Sequence, residues 1–173
     1  YHPSVSSTSA QAGGVSGAGE TSSNVNYAIT YAPSMVEGLT LAYGASKTEI
    51  MSSASANDDE EMTMAINYVN GSLSLGYQVS EVQSGTAGAN GNNVEEYGIA
   101  FAVNENLSVS YNQADNEDDA PSSSNVTEDS SGVSVAYTMG SASFRLAANE
   151  ADNVNGVTGQ TDESMELSLK LSF

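Results

Sequence analysis

The 173-residue chain has no cysteine and no tryptophan, and only three phenylalanines, three prolines and one histidine. Each absence removes a class of function. Without cysteine there is no disulfide framework, no thiolate zinc site and no cysteine nucleophile. The one histidine, His2, lies outside every periodic segment, so a Ser-His-Asp or Asp-His arrangement cannot be assembled from the patterned part of the chain. Three Lys and Arg stand against 22 Asp and Glu, and the formal charge of −19 argues against nucleic acid or an anionic membrane surface as partner. That charge suits contact with polycations or metal ions, or saline surroundings. No run of about 18 apolar residues is present, which excludes a transmembrane helix but not a barrel, whose strands are shorter and only half apolar. The sequence begins at Tyr1 without an initiator Met or a basic, apolar signal segment, so it is expected to be a mature form or a piece of something longer.

What is present is alternation with a period of two, and no 3.6-residue stripe, so the chain is expected to be all-β. Nine segments carry the pattern in a single apolar phase: Val25 to Tyr31, Leu39 to Ala45, Met62 to Tyr68, Leu73 to Val79, Tyr97 to Val103, Leu107 to Tyr111, Val133 to Met139, Ala142 to Ala148 and Met165 to Phe173. Their connections alternate too. Short turns follow the odd-numbered segments: 32–38, Asn70-Gly71, Asn104-Glu105-Asn106 and Gly140-Ser141. Asn-Gly favours a type I′ hairpin because both residues tolerate positive φ. Long polar stretches follow the even-numbered segments, at roughly 46–61, 80–96, 112–132 and 149–163. Short turns on one rim and long loops on the other describe an up-and-down antiparallel meander of about nine strands, the build of an outer-membrane β-barrel. A Ser/Gly-rich lead at 1–24 precedes the barrel strands at 25–173.

The two phases differ sharply. Every residue of the apolar phase is Leu, Ile, Val, Met, Phe, Tyr or Ala, and none is charged. The opposite phase holds Ser, Thr, Asn, Gln, Ala and Gly with three charges, Arg145, Glu166 and Lys170. The solvent face of a soluble sheet normally carries many Lys, Arg and Glu. Here all acids but Glu20, Glu37, Glu105 and Glu166 lie in the four long stretches. A lipid face tolerates no charge, since a mid-bilayer Lys or Arg costs roughly 2–4 kcal/mol. Eight of the nine tyrosines lie in the apolar phase and tend toward segment ends, where an amphipathic ring suits a headgroup boundary.

The run SMELSLKLSF, residues 164–173, resembles the terminal strand of Gram-negative outer-membrane porins, with alternating apolar residues Met165, Leu167, Leu169 and Leu171 leading to an aromatic end, Phe173. GLTLAYG at 38–44, GSLSLGY at 71–77 and NLSVSYN at 106–112 extend the likeness over most of residues 25–173, and the repeated turn, strand and acidic-loop unit is most similar to porins of marine bacteria. The resemblance implies a passive diffusion pore in the bacterial outer membrane, contact with outer-membrane lipid, a homotrimer, and recognition of the terminal strand by the barrel-assembly machinery. Two departures stand out. Bacterial single-chain barrels have even strand numbers, and general porins have about sixteen, so nine strands suggest the later half of a porin with a strand preceding Tyr1. Porin constrictions also show facing basic and acidic clusters, for which this chain offers only Arg145, Glu166 and Lys170 as lumen-facing charges.

Other motifs carry less. The runs Asp58-Asp59-Glu60-Glu61 and Asp115 to Asp119 group carboxylates as hard cations favour, but neither has the glycine-turn spacing of a Ca²⁺ loop. Sequons at Asn70, Asn106 and Asn125 are accounted for by chance in an Asn- and Ser-rich chain. No catalytic residue, metal site or cofactor is expected. The sequence thus points to a cation-preferring pore, with an acidic surface protein of structural or adhesive type, or a fragment that self-assembles through strand edges, as the alternative.

Overall fold

A computed structural model describes residues 23–49, 57–85, 91–119 and 126–172. The Ser/Gly-rich lead up to residue 22, His2 within it, the sequon at Asn125 and the terminal Phe173 lie outside the described residues. Nine strands form one antiparallel sheet in chain order: β1 (Asn24–Tyr31), β2 (Leu39–Thr48), β3 (Asp59–Asn70), β4 (Leu73–Gln83), β5 (Gly91–Ala102), β6 (Leu107–Asp119), β7 (Thr127–Met139), β8 (Ala142–Asp152) and β9 (Thr161–Leu171). The sheet is open, with β1 and β9 at its two edges.

The short turns set the register of four hairpins. Asn70 pairs with Leu73, and Met139 with Ala142, leaving Gly71-Ser72 and Gly140-Ser141 as two-residue loops. Only the glycine of each loop has positive φ, 57° and 60°. This corrects the type I′ expectation for Asn70-Gly71: Asn70 is the last paired residue of β3, and a positive φ at the first loop position alone is the pattern of a type II′ turn. In the third turn the Asn104 Oδ1 accepts from the backbone N–H of Asn106 at 2.9 Å and of Leu107 at 3.0 Å. That draws Val103 out of β5 and into the turn. The first turn ends on Gly38, φ 83°, whose carbonyl accepts from the Val69 N–H at 2.9 Å.

On the opposite rim the strands run on well past the apolar segments. Of the acids expected in long loops, all but Glu49 and Asp58 lie inside strands, and the connections shrink to 49–58, 84–90, 120–126 and 153–160. Alternation of polarity ends before strand pairing does, because paired backbone is satisfied whether its side chains are apolar or charged. The last of these connections contains a short 3₁₀ turn, Val154–Gly156, entered through Asn153 in the left-handed region. The Asn153 side chain holds the turn, donating to the Thr127 carbonyl at 3.0 Å and accepting from the Gly159 N–H at 2.9 Å.

Register puts like with like. One row on the apolar face runs Leu39, Tyr68, Leu75, Ile99, Tyr111, Val133, Ala148, Met165 across β2–β9 without a polar side chain. These side chains cover nothing. Ile99 is 44 % exposed and Phe101 43 %, although both sit in mid-sheet. The only buried apolar side chain among the described residues is Ala147, 3 % exposed, and it belongs to the small, polar face. Burial is therefore inverted: large apolar residues stand open while Ser, Ala and Gly of the other face are sheltered by one another.

Candidate functional site

The polar face owes its character to glycines inside strands, where a missing side chain weakens pairing and marks a place of close approach. The interior glycines Gly44, Gly76, Gly98 and Gly132 all fall in the polar phase of their strands. The last three align in a single register row, Asn67, Gly76, Gly98, Asn112, Gly132, Asn149, Ser164, one residue from each of β3–β9. Amides lean into the space the glycines leave. A Cβ on Gly132 would meet the Asn149 Oδ1 at 2.5 Å and the Asn112 Oδ1 at 3.0 Å, and one on Gly76 would meet the Asn67 Oδ1 at 3.2 Å.

Two depressions lie along this belt and share Asn112. One, of about 290 Å³, includes Asn67, Gly76, Gln78, Glu96 and Gly98 in its lining. The other, of about 180 Å³, includes Ser130, Asn149, Asp162 and Ser164. Gln78 donates to Glu96 at 3.2 Å, and Asn149 donates to the Ser164 hydroxyl at 3.3 Å. Cross-strand hydroxyl pairs, Thr63 with Ser80 at 3.0 Å and Ser110 with Ser134 at 2.8 Å, line the same face on either side of the belt. Such a surface offers hydrogen-bond donors and acceptors, with the carboxylates of Glu96 and Asp162 at its two depressions.

The three charges expected on this face are there and exposed. Arg145 stands opposite Ser168, which places Glu166 and Lys170 at its two diagonals on β9. No ion pair joins them among the described residues. Met165, Leu167, Leu169 and Leu171 lie on the apolar face of the edge strand β9, Leu167 at 74 % exposure. No group of three or more His, Asp or Glu among the described residues is placed to hold a metal ion.

Where the apolar face meets the acidic rim, tyrosine hydroxyls turn toward the acids. Tyr77 donates to Glu95 at 2.9 Å, Tyr111 to Gln113 at 2.9 Å, and Tyr97 to the same Gln113 oxygen. Beyond them Glu95, Asp115, Asp129 and Asp152 form an unbroken row of directly opposed carboxylates across β5–β8. Lost solvation among these neighbours, the charge of Asp115 and a hydrogen bond with it, and the charge of Asp152 raise the Asp129 carboxyl above the usual aspartate range, although the residue stays open to solvent. Lys47 is the one base on this face among the described residues. Glu60 at 2.7 Å and Asp58 at 2.9 Å hold its ammonium well above the usual lysine range.

The belt and the acid row were not recognised from sequence. A signal for part of the belt was present, since Gly76 and Gly98 directly neighbour Tyr77 and Tyr97 in the opposite phase, while Gly132 is marked by nothing comparable. Their alignment depends on register across β4–β5 and β6–β7, which the long connections do not specify. No protein family, no curated protein and no solved structure matches the chain.

Proposed function

We propose that the chain forms part of the wall of a bacterial outer-membrane β-barrel of the porin type, a passive pore for small hydrophilic solutes that favours cations. The inverted burial carries this reading. A continuous apolar face with nothing packed against it costs about 25 cal/mol for each Å² left in water, and contiguous exposed patches beyond a few hundred Å² mark surfaces that meet a partner or a membrane. Hydrocarbon removes that cost, and a lipid face needs the uncharged positions found here. The tyrosine hydroxyls that reach Glu95 and Gln113 give the apolar band a boundary of the kind found at a lipid–water interface. The opposite face, small, hydroxylated and amidated, suits a water-filled lumen, in which Arg145, Glu166 and Lys170 are the charges away from the rim.

Closure needs strands beyond the nine, because edges inside a bilayer must be paired. On this reading β9, with Phe173, is the strand that the barrel-assembly machinery reads, and the assembled protein is a homotrimer. The chain does no catalysis and holds no cofactor. A second reading rests on the two open edges: copies pair through β1 and β9 into an acidic surface assembly. Fractionation and planar-bilayer recording of the full-length protein separate the two. Extraction with the outer membrane and stepwise conductance support the pore. A protein that stays in water, forms oligomers and conducts nothing replaces it with the surface assembly.

A further inference from the structure

We propose that the amide–glycine belt is a binding track for a neutral, linear, polyhydroxylated solute, a saccharide chain in chemical terms, and that Asn67, Asn112 and Asn149 are its specificity-determining residues. The inference rests on the reading of the polar face as a water-filled lumen and names the solute class that this lumen selects.

Three features of the belt define the ligand. Its functional groups are carboxamides, each with two N–H donors and an acceptor oxygen, which matches the paired donor and acceptor character of neighbouring sugar hydroxyls. The side-chain amides of Asn67 and Asn112 make no hydrogen bond to any other described residue, so both have their full capacity available. Shape adds to chemistry. The amides of Asn67, Asn112 and Asn149 lean over Gly76 and Gly132, so a ligand meets carboxamides there, and at Gly98, where no side-chain polar atom fills the space, it approaches the backbone. From β3 to β9 the row spans six strand spacings of about 4.8 Å, roughly 29 Å measured along the sheet, which suits a chain better than a single small solute.

Charge settles the sign. Glu96 lines the first depression and Asp162 lines the second, while Arg145 and Lys170 stand in other register rows. The carboxylates at both depressions repel an anionic saccharide and do not repel a neutral one, from which they can accept hydrogen bonds. Asn112 belongs to both depressions and so joins the two halves of the track.

The test is binding to the full-length protein folded in detergent micelles, read from the side-chain NH₂ resonances of asparagine, with maltohexaose as the neutral probe and a galacturonate oligomer of equal length as the anionic one. Maltohexaose is expected to shift the Asn67, Asn112 and Asn149 resonances saturably, and the uronate is expected to leave them in place. Asn112→Ala should weaken maltohexaose binding at least tenfold, whereas Asn106→Ala at the short-turn rim should not change it. Gly132→Ala supplies a second variant that keeps every amide but pushes those of Asn149 and Asn112 aside, and it too should weaken binding. Absence of shifts, equal shifts from the uronate, or full affinity in both belt variants overturns the proposal. Conductance in planar bilayers keeps the two readings apart. A conducting protein that does not bind maltohexaose loses the track and keeps the pore. Binding by a protein that conducts nothing upholds the track and removes the pore.

Discussion

Asp115 and Asp129 stand directly opposite each other on β6 and β7, a like-charged cross-strand pair placed where the apolar band gives way to the acidic rim. Neighbouring strands bring such residues to a Cβ separation of about 5 Å, at which two carboxylates repel. Asp152 on β8 faces Asp129 from the other side, so Asp129 has an acid on each flank.

The raised Asp129 carboxyl fixes a sign for pH dependence. With its pKa higher in the folded chain, the folded state binds more protons than the unfolded one, so stability falls as pH rises through the interval above the ordinary aspartate value of about 3.9. Asp129→Asn should therefore stabilise the protein at neutral pH, by about 0.2–1 kcal/mol and toward the low end because the site is exposed and screened. The gain should vanish near pH 3, where both states are protonated. Denaturant midpoints of wild type and variant at the two pH values check this, and an equal shift at both contradicts it.

The apolar and polar faces predict unequal tolerance of charge. Leu75 and Phe101 lie on the apolar face of adjacent strands, paired with Ile99 and Leu73. On the proposed membrane reading, Leu75→Arg or Phe101→Arg should lower the yield of inserted protein, at a cost of roughly 2–4 kcal/mol for a charge near mid-bilayer. Ala100→Arg, next to Phe101 but among Ser74 and Ser110, should be far milder. Equal damage from all three removes the assignment of faces.

The two glycines of the first hairpins separate conformational strain from steric exclusion. Gly71 has φ 57° and open space around the position of a Cβ, so Gly71→Ala meets only the backbone penalty of positive φ at the first position of a II′ turn, about 1–2 kcal/mol. Gly38 has φ 83°, and its Cβ would fall 1.8 Å from the Val69 carbonyl oxygen. Gly38→Ala must shift the backbone there and should cost clearly more, toward 3 kcal/mol. Unfolding midpoints of the two variants decide the order.

Selectivity follows from which face each acid shares. By alternation Asp59, Glu61, Glu96, Glu128, Asp162 and Glu166 are on the polar face, against Arg145 and Lys170, whereas Glu95, Asp115, Asp129 and Asp152 are on the apolar side. On the proposed pore reading the protein should prefer cations, and the preference should fade with salt, as the reach of these charges falls from about 30 Å at 0.01 M to about 8 Å at 0.15 M. Glu96→Gln should reduce the reversal potential across a salt gradient more than Asp129→Asn. Anion preference at low salt refutes the argument.

Strand number, order and facing were legible in the sequence because each rests on local pattern. One misplaced phase in Leu73-Ser-Leu-Gly-Tyr77 would have turned an apolar side chain to the wrong face. Strand ends on the acidic rim were not legible. In the runs around Asp59 and Asp115 polarity no longer alternates while backbone pairing continues, so periodicity has nothing to report. The II′ geometry of Gly71-Ser72 was hidden by the stronger Asn-Gly signal one residue earlier. The polar-face row was hidden for a different reason. Asn112, Gly132 and Asn149 are ordinary residues one by one, and only the pairing of β6, β7 and β8 makes them neighbours.

A sheet with Ala147 as its one buried apolar side chain among the described residues also has an unusual calorimetric character. Unfolding raises the heat capacity of ordinary domains by about 12–15 cal/mol/K per residue, mainly because apolar surface becomes hydrated. Ile99 and Phe101 already keep over two-fifths of their surface exposed and Leu167 about three-quarters, so in water they contribute less to that increment than core residues do. The stability curve of this sheet should then be flat with temperature, with no pronounced maximum and only a weak tendency to unfold in the cold. Cooperativity in such a molecule comes from the backbone ladder itself, each strand from β2 to β8 ordered by the two that flank it.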